Sequence, residues 1–301
     1  TAFRDIVPHI EYPLLAPLAE ASFYNFIGML DDALVKLIFP AYYMALLAAF
    51  YSVSRRWLNR REGLLFTFLL ASIPQFKEYA TNAYVDLVLA FYYSLSLAYL
   101  VLWMKERKLG YLAISAGLSV LSLWAKNEGG LLIAVNVLVM VIYIFSEGRK
   151  EILKGAAYSF FLMASVAAYV CAKNVIGIEL HSNLAGEGLM EPGRVISNLG
   201  RIPAILYQFQ IQFFGPKKWN IVWILLIAGF VLNIRPAFRG VLRYVTLWLI
   251  FVMCGYSLVY IVIPGDINWI ISRNLSRFFI HFTPAAVLWL AILFKELKLE
   301  L

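Results

Sequence analysis

The chain has 301 residues, 62% of them hydrophobic and 15% charged, with a mean hydropathy of +0.76. A water-soluble domain is roughly half apolar and a quarter charged, so this composition excludes that class and predicts an integral membrane protein. The formal net charge of +8 does not point to nucleic acid: no Lys/Arg-rich segment is long enough to follow a phosphate backbone, and basic residues of membrane proteins collect in cytoplasmic loops.

Taken from the N-terminus, the first apolar stretch runs from Tyr12 to Tyr24 and is broken by Pro13 and Pro17. It predicts a helix lying in the outer interface, with Glu20 on its polar side. A hydrocarbon core of about 30 Å takes roughly 20 helical residues to cross. The apolar runs then predict nine spans, near 31–52, 63–76, 84–104, 109–125, 130–146, 156–177, 219–234, 244–263 and 278–294. The second is short and contains Pro74, so a re-entrant segment is the alternative there. A second interfacial segment is expected from Arg194 to Phe214, where Gly200, Pro203 and three glutamines oppose burial in lipid. Pro264 to Pro284 reads as the last outer loop. Cys171 and Cys254 fall within apolar runs, which argues against a disulfide framework or a metal cluster. The expected fold is an all-α, polytopic bundle forming a single transmembrane domain over residues 1–301, with interfacial helices on its outer face.

Charge placement orients this topology. The loops around Arg55–Arg61, Lys105–Lys108, Arg149–Lys154, Arg235–Arg243 and Lys295–Lys298 would share one side, and they hold fifteen of the 26 basic residues. By the positive-inside rule that side is cytoplasmic, which puts the chain start outside and its end inside, in a prokaryotic plasma membrane.

The outer mouths of the spans then carry an unusual set of ionisable groups. Some have ordinary readings. Asp31 and Asp32 suit a helix start, Lys217 and Lys218 suit interface anchors, and Lys126 to Gly130 reads as a tight turn. Asp86 stands one turn into an apolar run and is either a headgroup-level carboxylate or a site acid. Arg277 and His281 are four apart and share a helix face. The histidines are few and lack paired-ligand spacing, so no metal-ligating set is expected. A divalent ion shared by Asp86, Glu78 and Glu128 is neither required nor excluded. Carboxylates and cations recurring at several mouths suit transfer from a phosphate-linked donor. Arg and Lys would hold the phosphate, and a carboxylate would deprotonate an acceptor hydroxyl. Tyr79, Tyr84 and Trp269 suit a sugar face.

Three stretches carry a family resemblance. His9-Ile10-Glu11-Tyr12-Pro13-Leu14-Leu15-Ala16-Pro17-Leu18 is similar to a "HPDYPLLLPL" segment, Ala83 to Ala90 to "GYADLPLA", and Ala125 to Gly129 to "TKNEG". A weaker match runs from Trp269 through Arg277 to Pro284. Together they resemble the polytopic GT-C glycosyltransferases, the superfamily of protein mannosyltransferases and the lipid A aminoarabinose transferase. The resemblance implies an inverting transferase using a polyprenyl- or dolichyl-phosphate sugar and an extracytoplasmic acceptor that is a glycan, a lipid or a protein. It implies Asp86 as the catalytic acidic position and Lys126, Arg277 and Arg273 at the donor phosphate. Around the substrate it implies His9, Glu11, Tyr12, Glu78, Tyr84, Asn127, Glu128 and Trp269. It also implies a first span and most of a first outer loop upstream of residue 1, carrying the family's usual base. Ser276 and Ile270 depart from the family pattern, which has Asp and often His there. Two other functions fit the residues: a flippase or transporter of a lipid-linked substrate, and an enzyme like the O-antigen ligases or polymerases, which keeps Arg194 and Arg201 in view.

Overall fold

The computed structural model describes residues 12–147, 151–175 and 192–300, and among these every regular element is a helix. His9, Glu11 and His181 lie outside the described residues. In chain order the helices are α1 (Leu15–Ile27), α2 (Asp32–Val35), α3 (Ile38–Ser54), α4 (Arg60–Ala71), α5 (Pro74–Thr81), α6 (Val85–Glu106), α7 (Leu109–Ala125), α8 (Gly129–Glu147) and α9 (Ile152–Val175). They continue with α10 (Pro192–Ser197), a 3-10 turn at Leu199–Arg201, α11 (Ile202–Phe214), α12 (Pro216–Trp219), α13 (Val222–Leu232), α14 (Ile234–Ala237), α15 (Leu242–Val262) and α16 (Ile267–Glu300).

Six stretches are long and apolar enough to cross a membrane: Asp32–Ser54, Val85–Glu106, Gly129–Ser146, Ile152–Val175, Leu242–Val262 and Ile267–Lys298. This fits an integral membrane protein. Leu109–Ala125 and Val222–Leu232 are apolar but shorter. The expected span 63–76 is divided. Ile73 is extended and Pro74 opens α5, because proline lacks the N–H and the room that a continuing helix needs. Of the nine expected spans, six therefore meet the length, two are shorter apolar helices and one is broken in two. The last differs most. Helix α16 begins at Ile267, inside the expected outer loop, and its 34 residues extend about 50 Å. The run from Ser272 to Arg277 is mostly polar, which hides the extension from a hydropathy reading, but Asp266 receives the Asn268 N–H at 2.9 Å and starts the helix.

Local signals explain several ends. Asp31 receives the Ala33 and Leu34 N–H groups at 2.8 and 3.0 Å. Asn59 and Glu62 form a reciprocal capping box at the start of α4. On the face expected to be cytoplasmic, Lys298 of α16 meets Glu62 of α4 at 2.7 Å. Lys105 donates to the Arg56 carbonyl at 2.6 Å and lies over the Trp57 ring.

Burial sorts the helices. The apolar windows of α6 and α16 are 89% and 83% buried within the protein, against 22% for both Asp32–Ser54 and Ile152–Val175. Helices α6 and α16 pack on each other at the centre, and α7, α3 and α15 surround them. A neutral polar network ties this centre together. The Ser96 hydroxyl of α6 meets Ser119 of α7 at 2.6 Å, and Asn136 of α8 donates to both at 2.9 and 3.0 Å. Trp248 of α15 donates to the Asn136 oxygen at 2.9 Å, and Tyr158 of α9 joins through Ser115 at 3.0 Å. Each of these groups has a partner, as buried polar atoms require.

Candidate functional site

Asp86 is the second residue of α6 and is fully buried. Three described side chains from two other regions converge on it. Lys126 Nζ donates to Oδ1 at 2.8 Å, and Arg277 donates to Oδ2 from Nη2 at 3.1 Å and Nε at 3.3 Å. His281 Nε2 lies 2.9 Å from Oδ1. A carboxylate oxygen only accepts, so Nε2 carries a proton. In the neutral imidazole, Nδ1 then accepts from the Tyr256 hydroxyl at 2.8 Å. Lys126 makes a second ion pair with Glu128 at 2.9 Å.

The backbone places these groups by simple means. Helix α7 ends at Ala125, and Lys126 leaves it in an extended conformation with its N–H still bonded to the Ser122 carbonyl. The expected tight turn is present: the Gly129 N–H returns to the Lys126 carbonyl at 2.9 Å and that of Gly130 to Asn127 at 3.0 Å. Gly129 is required here, since a Cβ would collide with the Ser122 backbone. The turn directs the lysine back across α6. Arg277 and His281, one turn apart on α16, face the same carboxylate. Burial alone would lower the Lys126 ammonium, but Glu128 and Asp86 outweigh it and hold the group above the ordinary lysine range. Burial likewise works against the Glu128 carboxylate, and Lys126 holds that group below its ordinary value.

A pocket of about 260 Å³ opens onto this cluster, lined by Tyr12, Ala16, Glu20, Tyr84, Asp86, Lys126 and Arg277 among others. The Arg277 side chain is 34% exposed, whereas Lys126 is 7% exposed. Donor arithmetic matters. A guanidinium has five N–H groups and an ammonium three. Arg277 uses two on Asp86 and Lys126 uses one each on Asp86 and Glu128, so four N–H groups beyond these bonds remain. A second recess of about 240 Å³, among Phe213, Phe230, Thr246, Met253 and Trp289, has no ionisable lining residue. Of these two, the first alone carries ionisable groups.

Several sequence expectations come together here and others do not. Asp86, Lys126, Arg277 and Glu128 form one cluster, and Tyr12 and Tyr84 line its pocket. Asp86, expected at the catalytic acidic position, is engaged: both its oxygens already accept from charged or ring N–H donors, so a proton taken at either would displace one. It holds Lys126 and Arg277 through these bonds. Arg273 does not line the pocket; it lies over the exposed Trp269 ring at 4.7 Å, one turn nearer the start of α16. Trp269 shares that position. Glu78 is exposed and also stands away from the pocket lining. Asn127 accepts from Tyr169 at 3.1 Å and Lys173 at 3.2 Å, which ties the turn to α9. His9 and Glu11 fall outside the described residues. Among the described residues no group of three or more His, Cys, Asp or Glu side chains assembles as for a metal ion. Two participants had no assigned role from sequence. His281 carried a signal in its spacing from Arg277; Tyr256 looked like any aromatic residue of a span. No protein-family model, curated protein or solved structure matches this chain, so what the cluster does has to be read from its geometry.

Proposed function

We propose that the chain is a membrane glycosyltransferase that moves a sugar from a polyprenyl-phosphate donor to an extracytoplasmic hydroxyl acceptor. One observation carries the reading: Lys126 and Arg277, locked in place by a buried carboxylate, keep unused N–H donors beside an open pocket. Such preorganised donors suit a phosphate, whose negative charge grows as it leaves the anomeric carbon. The two cations are matched by Asp86 and Glu128. The site would therefore grip a phosphate through directed hydrogen bonds rather than surplus charge, and binding should depend only weakly on salt. In this reading the crossing count is nine, α1 and the Arg194–Phe214 region lie in the outer interface, the chain start faces outward and the end is cytoplasmic, in the plasma membrane of a prokaryote. The acceptor is a glycan, lipid or protein; a divalent cation is not assigned.

A transporter would want polar groups open at mid-depth, whereas Ser96, Ser119, Asn136 and Trp248 are satisfied by one another. A ligase-like reading would enlist Arg201, but its guanidinium bonds the Tyr260, Ile261 and Ile263 carbonyls at the end of α15. The test is binding of decaprenyl phosphate against decaprenol to the protein in nanodiscs, read by native mass spectrometry. The wild type should favour the phosphate by at least about tenfold, and Lys126→Met and Arg277→Gln should each remove most of that preference. Equal affinity for phosphate and alcohol would refute the reading.

A further inference from the structure

We propose that Glu20 is the general base of this pocket, the carboxylate that takes the proton of the acceptor hydroxyl. The inference rests on the glycosyltransferase reading above and, in place of the base that the resemblance puts upstream of residue 1, assigns that role to a residue of this pocket.

Two carboxylates line the pocket, Asp86 and Glu20. They differ in what holds them. Asp86 accepts from Lys126, Arg277 and His281. Glu20 makes no hydrogen bond or ion pair with any described residue and is only half-buried. A base must line the reacting space with a lone pair that is not already committed. Glu20 meets that condition and Asp86 does not.

Placement supports the same division. Glu20 lies on α1, four residues after Ala16, and the two share a helix face that forms one wall of the pocket. The cations come from the end of α7 and from α16. An inverting displacement needs its base and its leaving group on opposite sides of the anomeric carbon, and a pocket walled by separate elements provides two such sides. Burial first, and then the charge of Asp32, hold the Glu20 carboxyl above its ordinary value. This strengthens it as a proton acceptor.

The step balances with what the reading already supplies. The acceptor O–H bond breaks and its proton goes to a Glu20 carboxylate oxygen. The freed oxygen pair forms the new bond to the anomeric carbon. The bond from that carbon to the phosphate oxygen breaks, and its electron pair leaves on the polyprenyl phosphate, whose charge Lys126 and Arg277 receive.

The experiment uses the whole chain in nanodiscs and two readouts. Decaprenyl phosphate is titrated first. Glu20→Gln removes a negative charge from the pocket and should tighten phosphate binding about threefold to tenfold, while Lys126→Met weakens it. Turnover is then followed with a panel of radiolabelled polyprenyl-phosphate sugars. Glu20→Gln and Glu20→Ala should each lose about 10²–10⁴-fold in rate, and added formate should restore part of the activity of Glu20→Ala, which a purely structural loss would not allow. Unchanged phosphate affinity in Glu20→Gln, or turnover within about threefold of wild type, overturns the assignment of Glu20. If Lys126→Met also binds like wild type, the site reading itself fails; if Lys126→Met weakens binding while Glu20→Gln is silent, only Glu20 does.

Discussion

Helix α6 carries two buried polar clusters about ten residues, or 15 Å, apart, and they are built on different principles. At its N-terminal end Asp86 gathers charges from α7 and α16 beside an open pocket. At mid-length Ser96 gathers hydroxyls, an amide and an indole from α7, α8 and α15. The lower cluster matches donors to acceptors without charge, and its members are all buried. The upper one balances charge but keeps N–H groups in excess on a half-exposed arginine. Burial of polar groups therefore marks integrity in both places. Unused donors facing a pocket mark function in only one.

The comparison breaks most visibly at Asp86. Asp86→Asn leaves Lys126 and Arg277 facing each other with Glu128 as their one remaining counter-charge in the cluster and should reduce stability by about 3–5 kcal/mol, measured as resistance to denaturation in detergent. A loss below about 1 kcal/mol would mean that the cations are held by other means. Pairing Asp86→Asn with Lys126→Met should recover part of that stability but not phosphate binding, a non-additivity expected of residues in direct contact. In the neutral cluster, Asn136→Ala leaves the Trp248 N–H and two serines short of a partner. About 1–3 kcal/mol should be lost, with phosphate affinity unchanged; a fall in affinity would couple the two clusters and undo the distinction between them. Tyr256→Phe removes only the outermost bond of the Asp86–His281–Tyr256 chain and should cost about 1 kcal/mol by the same assay. The smallest effect belongs to Arg273→Gln. Its exposed contact with Trp269 is worth only about 0.5–1 kcal/mol, and decaprenyl phosphate should bind as to wild type.

Much of this site was legible along the chain, for a physical reason. Lysine and aspartate are so unfavourable next to hydrocarbon that their presence at the ends of α6 and α7 demands a partner. The spacing of Arg277 and His281 places both on one face, and Lys126 to Gly130 reads as a turn from residue types alone. Tyr256 was not legible, because an aromatic residue in an apolar run carries no mark of whom its hydroxyl meets. Nor was the isolation of Glu20, since lack of a partner is a property of the neighbours.

Composition and periodicity by themselves determined that the chain is helical and suited to a membrane, that Pro74 makes the region around it doubtful as a span, and that charge collects at particular mouths. These are local matters: the cost of polar groups in hydrocarbon and of proline in a helix act residue by residue. Only the tertiary structure decided that α16 runs on through the expected loop, that α6 and α16 form the buried centre, and which of two pocket carboxylates is engaged. Those outcomes depend on distances between residues nearly two hundred positions apart, such as Asp86 and Arg277, and no local rule contains them.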